Sequence, residues 1–326
     1  MWRNRVMTIA PRHSIIGGTF VVLGILPALF SMMVPKASAQ TPITGIHGAF
    51  GAGITLLVPS EGDTTMQWKL RQMDLVVRPR ISPEVGATIV LAFAKFVDGP
   101  VDPVLVASID WKPSERFELT GGRILNPVGL SRWLPPHKLI ELTYAETGIT
   151  APFIEHGVMG TWRPSQMLEF GAGIVSGHGT SGESDFKPDG ILLARIKPVD
   201  GFTLGLDFQT GKQDAGWRHV LGLHLKGEVG MFFGQAEVVA NFDAGDDRPT
   251  IGWYFLSVLR PTPEWEPYVR IEWLHDLRDG AQRHDSIGML GVNYRPTTNT
   301  ALRAAATAPL ASSPTIGLQF VGQVSF

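Results

Sequence analysis

The sequence predicts an all-β fold, a closed antiparallel barrel of about sixteen strands spanning a membrane, and three observations carry that prediction. A basic residue followed by a turn former recurs at Arg78-Pro79, Lys112-Pro113, Arg163-Pro164, Lys197-Pro198, Lys226-Gly227, Arg260-Pro261 and Arg295-Pro296. The intervals are 34, 51, 34, 29, 34 and 35 residues. A period near 34 with one such turn per unit is a repeated antiparallel hairpin, two strands with one short and one longer connection. The segments between turns alternate apolar with polar residues. The last of them, 315–326, places Ile316, Leu318, Phe320, Val324 and Phe326 on one face and Gln319, Gln323 and Ser325 on the other.

The first 39 residues read as a segment outside the fold. Arg3, Arg5 and Arg12 precede an apolar stretch from Ile15 to Leu29, and Ala37-Ser38-Ala39 forms a small-residue cleavage site before Gln40. This is the pattern of a secretory signal peptide. Its removal takes four basic and no acidic side chains, so the formal charge of −2 becomes −6. An exported chain without cysteine has no disulfide staples or thiolate metal sites. Past residue 40 no apolar run is long enough for a membrane helix, yet apolar content reaches 44%. A barrel reconciles the two, because it disperses apolar residues on alternate positions and leaves no backbone group unpaired in lipid.

The strands expected in order are 45–58, 66–78, 86–97, 103–112, 117–126, 153–163, 167–177, 189–197, 202–210, 217–226, 231–242, 250–260, 267–277, 286–295, 299–307 and 315–326. An even count returns both ends of the barrel to one side of the membrane. The seven basic turns then lie on the periplasmic side, and eight outer connections carry much of the acid: Glu61, Asp63, Asp98, Asp102, Glu183, Asp185, Asp189, Asp243, Asp246, Asp247, Asp276, Asp279 and Asp285.

Several strands divide cleanly into a lipid and a lumen face. Phe202, Leu204, Leu206 and Phe208 oppose Asp207 and Gln209; Ala236, Val238 and Ala240 oppose Gln235, Glu237 and Asn241; Val269, Ile271 and Trp273 oppose Arg270 and Glu272. Aromatic residues near strand ends, Trp68, Trp111, Trp162, Trp217, Trp253, Tyr254, Trp265, Trp273 and Tyr294, fit two interfacial belts.

The one long interval places an insertion of 17 residues between strands five and six, at about 127–152, the third outer loop. A barrel of this size has a lumen too wide for its wall side chains to fill, and a loop folded inward would narrow it. Arg132, His137, Lys138, Glu141 and Glu146 on that loop, facing Arg71, Arg123, Arg195, Arg218 and Arg270 on the wall, are the pore-constriction candidates. Opposed charges across a constriction set ion preference.

The stretch Gly121-Gly122-Arg123-Ile124-Leu125-Asn126-Pro127-Val128-Gly129-Leu130 resembles the Gly-Arg-x-x-x-Pro-x-Gly-Leu sequence before the third loop of phosphate-selective-type porins, and Gly157-Val158-Met159 resembles their return strand. The resemblance implies a sixteen-stranded, trimeric diffusion channel. Phosphate-selective members line the pore with arginine and clustered lysine. Lys138 is the single lysine in this loop, with Glu141 and Glu146 close by, so anion specificity is not carried over.

The functional expectation is a water-filled channel for passive diffusion of small hydrophilic solutes or ions in the bacterial outer membrane. Its surroundings are lipid and lipopolysaccharide and its partners two further copies of itself. No cofactor, metal cluster or nucleotide motif is expected, and net acidity disfavours nucleic acid. Two rival readings are a structural barrel sheathing a partner protein, such as an electron-transfer or secretion component, and an outer-membrane hydrolase. The histidines are scattered singly, and Ser176-Gly177-His178-Gly179, the nearest thing to a nucleophile motif, reads as a glycine-rich loop tip.

Overall fold

The computed structural model describes residues 7–8, 46–59, 63–92, 104–129, 154–177, 187–213, 216–243, 249–276, 283–310 and 316–325. Apart from Met7 and Thr8, the expected leader lies outside the described residues. Among them are sixteen long strands: β1 (Ile46–Val58), β2 (Thr65–Val77), β3 (Val85–Ala92), β4 (Val104–Ser114), β5 (Phe117–Leu125), β6 (Ile154–Trp162), β7 (Leu168–Val175), β8 (Asp189–Ile196), β9 (Phe202–Gln213), β10 (Gly216–Val229), β11 (Phe232–Asp243), β12 (Thr250–Leu259), β13 (Trp265–Asp276), β14 (Arg283–Thr297), β15 (Thr300–Pro309) and β16 (Ile316–Ser325). A two-residue pairing of Met7–Thr8 with Thr65–Met66 lies beside β2.

Each strand pairs antiparallel with the next, and β16 pairs back onto β1, from Ile316↔Val58 to Ser325↔Ala49. The sheet therefore closes and has no free edge along the seam, which is the requirement for crossing lipid with strands. The seven connections after even-numbered strands hold two to seven residues. The stretch between β5 and β6, 126–153, is the longest connection on the opposite side.

The turn markers differ in one respect from their expected position. Lys112-Pro113, Lys226-Gly227 and Arg295-Pro296 lie inside β4, β10 and β14, and the two-residue turns follow two or three residues later, at 115–116, 230–231 and 298–299. Tight hairpins let the ladder run on past the pair. Both prolines fall within register shifts, between Trp111 and Ser114 and between Tyr294 and Thr297, where the missing N–H breaks no rung. Another irregularity sits at β2, where Gln72 pairs with Gly51 and Leu70 with Ala52, leaving Arg71 as the bulged residue.

The two faces separate as the alternation predicts. Leu192, Leu206, Leu223, Phe255 and Leu290 are exposed on the outer wall, whereas Asp207, Gln209, Glu237, Arg270 and Glu272 point inward and are buried. The outer wall carries the aromatic belts. Trp111 meets Phe117, Trp162 meets Phe170, and Trp265 lies tilted against Tyr294 at 4.6 Å, all at the ends that carry the short turns. Trp217 with His219, and Trp253 with Trp273, lie at the opposite ends. Trp265 and Trp273 are separated by eight residues of β13, about 26 Å of strand. At a tilt of about 40° that is about 20 Å of membrane depth, close to the apolar band such barrels present. Tyr254, expected in a belt, instead points inward and is 1% exposed.

The inward face is not uniformly polar. Ile124, Val128, Met159, Val175, Ile191, Leu193, Val220 and Val239 form one buried apolar cluster, and Phe233, Tyr254, Leu256, Val258, Tyr268, Met289 and Ala305 a second. β12 reads TIGWYFLSVL, apolar at nearly every position. Its inward residues could not be told from its outward ones by alternation alone.

Candidate functional site: the lumen wall and the root of the third outer loop

After β5, residues 126–129 leave the ladder and bond to inward side chains of β9. The Asn126 side-chain amide donates to Gln209 Oε1 at 3.0 Å, on β9, four strands away around the sheet. Asn126 Oδ1 accepts from the Val128 N–H at 3.0 Å, a local turn that seats Val128 in the first apolar cluster. The Gly129 N–H then donates to Asp207 Oδ2 at 2.9 Å. The same carboxylate oxygen lies 3.3 Å from His224 Nδ1, and both side chains are fully buried. Gly205, the register partner of His224, leaves room for the imidazole. A Cβ there would lie 1.8 Å from His224 Nε2.

The network extends to the outer ends of β6–β10. Gln209 donates from Nε2 to Asp189 Oδ2 at 2.7 Å, and Arg218 pairs with the same carboxylate and with the Gly177 carbonyl at 3.1 Å. Glu155 Oε2 accepts from Ser176 Oγ at 2.6 Å and from the Gly177 N–H at 3.1 Å. Asp189, expected among the acids of an outer loop, is thus the first residue of β8 and a buried wall residue; Asp243 likewise ends β11. The hydroxyl of Ser176 is engaged in holding a loop rather than poised as a nucleophile.

Near the ends that carry the short turns a ladder of alternating charge runs across the inner wall. Glu118 accepts from Lys112 Nζ at 2.8 Å and Arg163 Nη1 at 3.3 Å; Glu169 accepts from Arg163 Nε at 2.8 Å and pairs with Arg195. On the other half of the barrel, Arg260 bridges Glu228 at 3.0 Å and Glu266 at 3.1 Å, and Arg295 donates to Glu266 at 2.9 Å. Each central carboxylate is held between cations from two successive hairpins. Arg163 lies in the turn itself. Burial lowers its pKa, but the Glu169 and Glu118 carboxylates outweigh that and hold it above the ordinary arginine value. The signal was present in the sequence as basic-Pro-x4-Glu, at Lys112/Glu118, Arg163/Glu169 and Arg260/Glu266. Taken only as a turn marker, the basic residue hid its partner six positions on.

Of the expected constriction residues, Arg195, Arg218 and Arg270 face the lumen, paired with Glu169, Asp189 and Glu272 respectively. Arg270 also lies over the Tyr254 ring at 5.7 Å. Arg123 does not face the lumen. It pairs in register with Ala107 and His156, both exposed, and alternation sets it with Gly121 on the outer wall, while Ile124 points inward. Arg71 occupies the bulge of β2. Arg132, His137, Lys138, Glu141 and Glu146 lie outside the described residues.

No protein-family model matches this sequence, and no curated protein sequence matches it. Solved structures do. The loop L8 deletion mutant of OmpT, an outer membrane protein of Vibrio cholerae, superposes with a TM-score of 0.65 at 8% identity, covering 86% of this chain and 98% of that one. Salmonella typhi OmpF, in complex with daunomycin, gives 0.65 at 11% identity, covering 86% and 97%. An anion-selective porin from Comamonas acidovorans gives 0.65 at 13% identity, covering 86% and 99%. At such identities the likeness is one of architecture, and it agrees with the closed ladder, the belts and the charged interior: this chain has the antiparallel barrel fold of the general porins of the bacterial outer membrane.

Proposed function

We propose that the protein is a non-catalytic porin of the bacterial outer membrane, exported by residues 1–39 and passing small hydrophilic solutes or ions by passive diffusion. The observation that carries this reading is the closed sheet with ion pairs on its inner face and exposed leucine, valine and phenylalanine on its outer face. The third outer loop, 127–152, folds into the lumen in this reading. Support comes from its root, where Asn126 and Gly129 bond to inward side chains of β9 and Val128 packs among inward residues of β5–β11. Arg132, His137, Lys138, Glu141 and Glu146 then face Arg195, Arg218 and Arg270 across the constriction.

The similarity of residues 121–130 to phosphate-selective-type porins supports kinship in that direction, without anion selectivity. Homotrimers are proposed by analogy with OmpT of Vibrio cholerae, which has been solved in a trimer form. A sheath around a partner protein needs a clear bore, and the path of residues 126–129 counts against it.

Planar-bilayer conductance under a salt gradient tests the proposal. Stepwise currents are expected, closing in threes, with the reversal potential giving the preferred sign of ion. Bilayers that stay silent after confirmed insertion would refute the channel and favour the sheath.

A further inference from the structure

The ladder between β13 and β14 brings two histidines together at the end opposite the short turns. His275 on β13 is the register partner of His284 on β14, one rung before Asp276↔Arg283, where the ladder ends. The class of rung decides how close they stand. At the other end, continuing the same register, the Arg295 N–H donates to the Glu264 carbonyl at 2.7 Å, so the rungs that exchange hydrogen bonds fall at even-numbered residues of β13. The register runs from Trp265↔Tyr294 to Asp276↔Arg283 without a shift. His275↔His284 is therefore a rung without hydrogen bonds, the class in which opposite residues approach most closely, with Cα atoms about 4.5 Å apart. Trp265↔Tyr294 is a rung of the same class, and its rings meet at 4.6 Å.

The surroundings orient the pair and leave it within reach of water. His275 is half-buried and stacks on Trp273 at 5.0 Å and 21°, which limits rotation of the imidazole. Its register partner on β12 is Ile251, which brings neither charge nor ligand. The ladder between β14 and β15 begins only at Ile287, so among the described pairings no strand flanks His284 on that side. Trp273 belongs to the belt opposite the short turns. His275 lies two residues farther along the strand, about 5 Å beyond that belt at a tilt of about 40°.

We propose that His275 and His284 form a two-histidine site for a divalent transition metal, Cu²⁺, Zn²⁺ or Ni²⁺, with water completing its coordination shell. Two imidazole nitrogens bound to one such ion stand about 3.3 Å apart, a separation within reach of rings on so close a rung. Asp276, Arg283 and Asp285 fall at the alternate positions, on the opposite face of the ladder. Two neutral nitrogen donors without carboxylates select against Mg²⁺ and Ca²⁺, which take oxygen. A bound ion bridges the ends of β13 and β14 and opposes their fraying.

The test uses the full-length barrel in detergent, purified without a histidine tag and dialysed against Cu²⁺, Zn²⁺ or Mg²⁺ alone, bound metal being counted by elemental mass spectrometry. The wild type is expected to hold one Cu²⁺ or Zn²⁺ per chain, Cu²⁺ the more tightly, and no Mg²⁺. His275→Ala and His284→Ala should each lose that equivalent. His156→Ala, which removes an exposed outer-wall histidine elsewhere, should keep it. Quenching of tryptophan fluorescence by Cu²⁺ should fall in Trp273→Phe at unchanged stoichiometry, placing the ion beside the Trp273–His275 stack. Circular dichroism and heat-dependent gel mobility establish that each variant is folded. A wild type without bound Cu²⁺ or Zn²⁺, or H275A/H284A that binds as the wild type does, overturns the proposal. So does metal lost with His156. Binding is read in detergent and conductance in bilayers, so silent bilayers would leave the metal site standing and a metal-free barrel would leave the channel standing.

Discussion

The anchor at Asp207 makes a quantitative prediction about the third outer loop. Its carboxylate accepts the Gly129 N–H at 2.9 Å in a fully buried setting. A hydrogen bond to a charged acceptor contributes about 1.5–3 kcal/mol, and leaving a buried donor unmet costs about 1–3 kcal/mol. In Asp207→Ala the Gly129 donor is unmet while the loop stays docked and hydrated when it leaves. Release of the root therefore becomes easier by about 3 kcal/mol, or about a hundredfold in the docked-to-released ratio. The chain has no cysteine, so Val128→Cys introduces a single thiol at a site that is 2% exposed. Maleimide labelling of that thiol reads the released fraction. The rate should rise about a hundredfold in V128C/D207A, and about tenfold in V128C/D207N, which keeps one acceptor oxygen. Labelling rates within twofold of one another across the three proteins, with the barrel intact, would show that Asp207 does not hold the loop.

The charge ladder predicts that Glu169→Gln and Glu266→Gln each lower unfolding stability by about 1–2 kcal/mol, between the values for exposed and buried pairs. They share no partner, so urea titrations of the double variant should give the sum within about 0.5 kcal/mol. Gly291→Ala should fail to fold or lose more than about 2 kcal/mol, because a Cβ there meets the Tyr268 ring at 2.3 Å; pairing it with Tyr268→Ala should restore folding yield. Leu206→Arg, at an exposed outer-wall site in the middle of β9, should cost about 2–4 kcal/mol in lipid vesicles. The same variant in detergent micelles that solvate the guanidinium should lose markedly less.

All sixteen strands were legible because lipid and lumen impose opposite demands at alternate positions, and the turns carry their own chemistry. What was not legible has a common cause. The sequence marks which face a residue takes only where the two faces differ, so the inward apolar residues of β12 and the inward Tyr254 were invisible. Arg123 shows the converse error: a charge was assigned to water in the lumen when the outer wall near a strand end also accepts one. The bond from Asn126 to Gln209 joins residues on non-adjacent strands, and no local pattern encodes it. The acid partners of the turn arginines could have been found, since they recur at a fixed spacing.

The seam between β16 and β1 sets an order of events for making this molecule. Ala49 and Ser325, at opposite ends of the fold, are neighbours on the final ladder. Until the last strand has been synthesised and delivered, β1 and β16 each present a row of unmet amides and carbonyls. Such a chain cannot settle into hydrocarbon strand by strand as it emerges. It must be kept apart from its fellows, then zip shut in one late, slow step whose barrier reflects its long-range contacts.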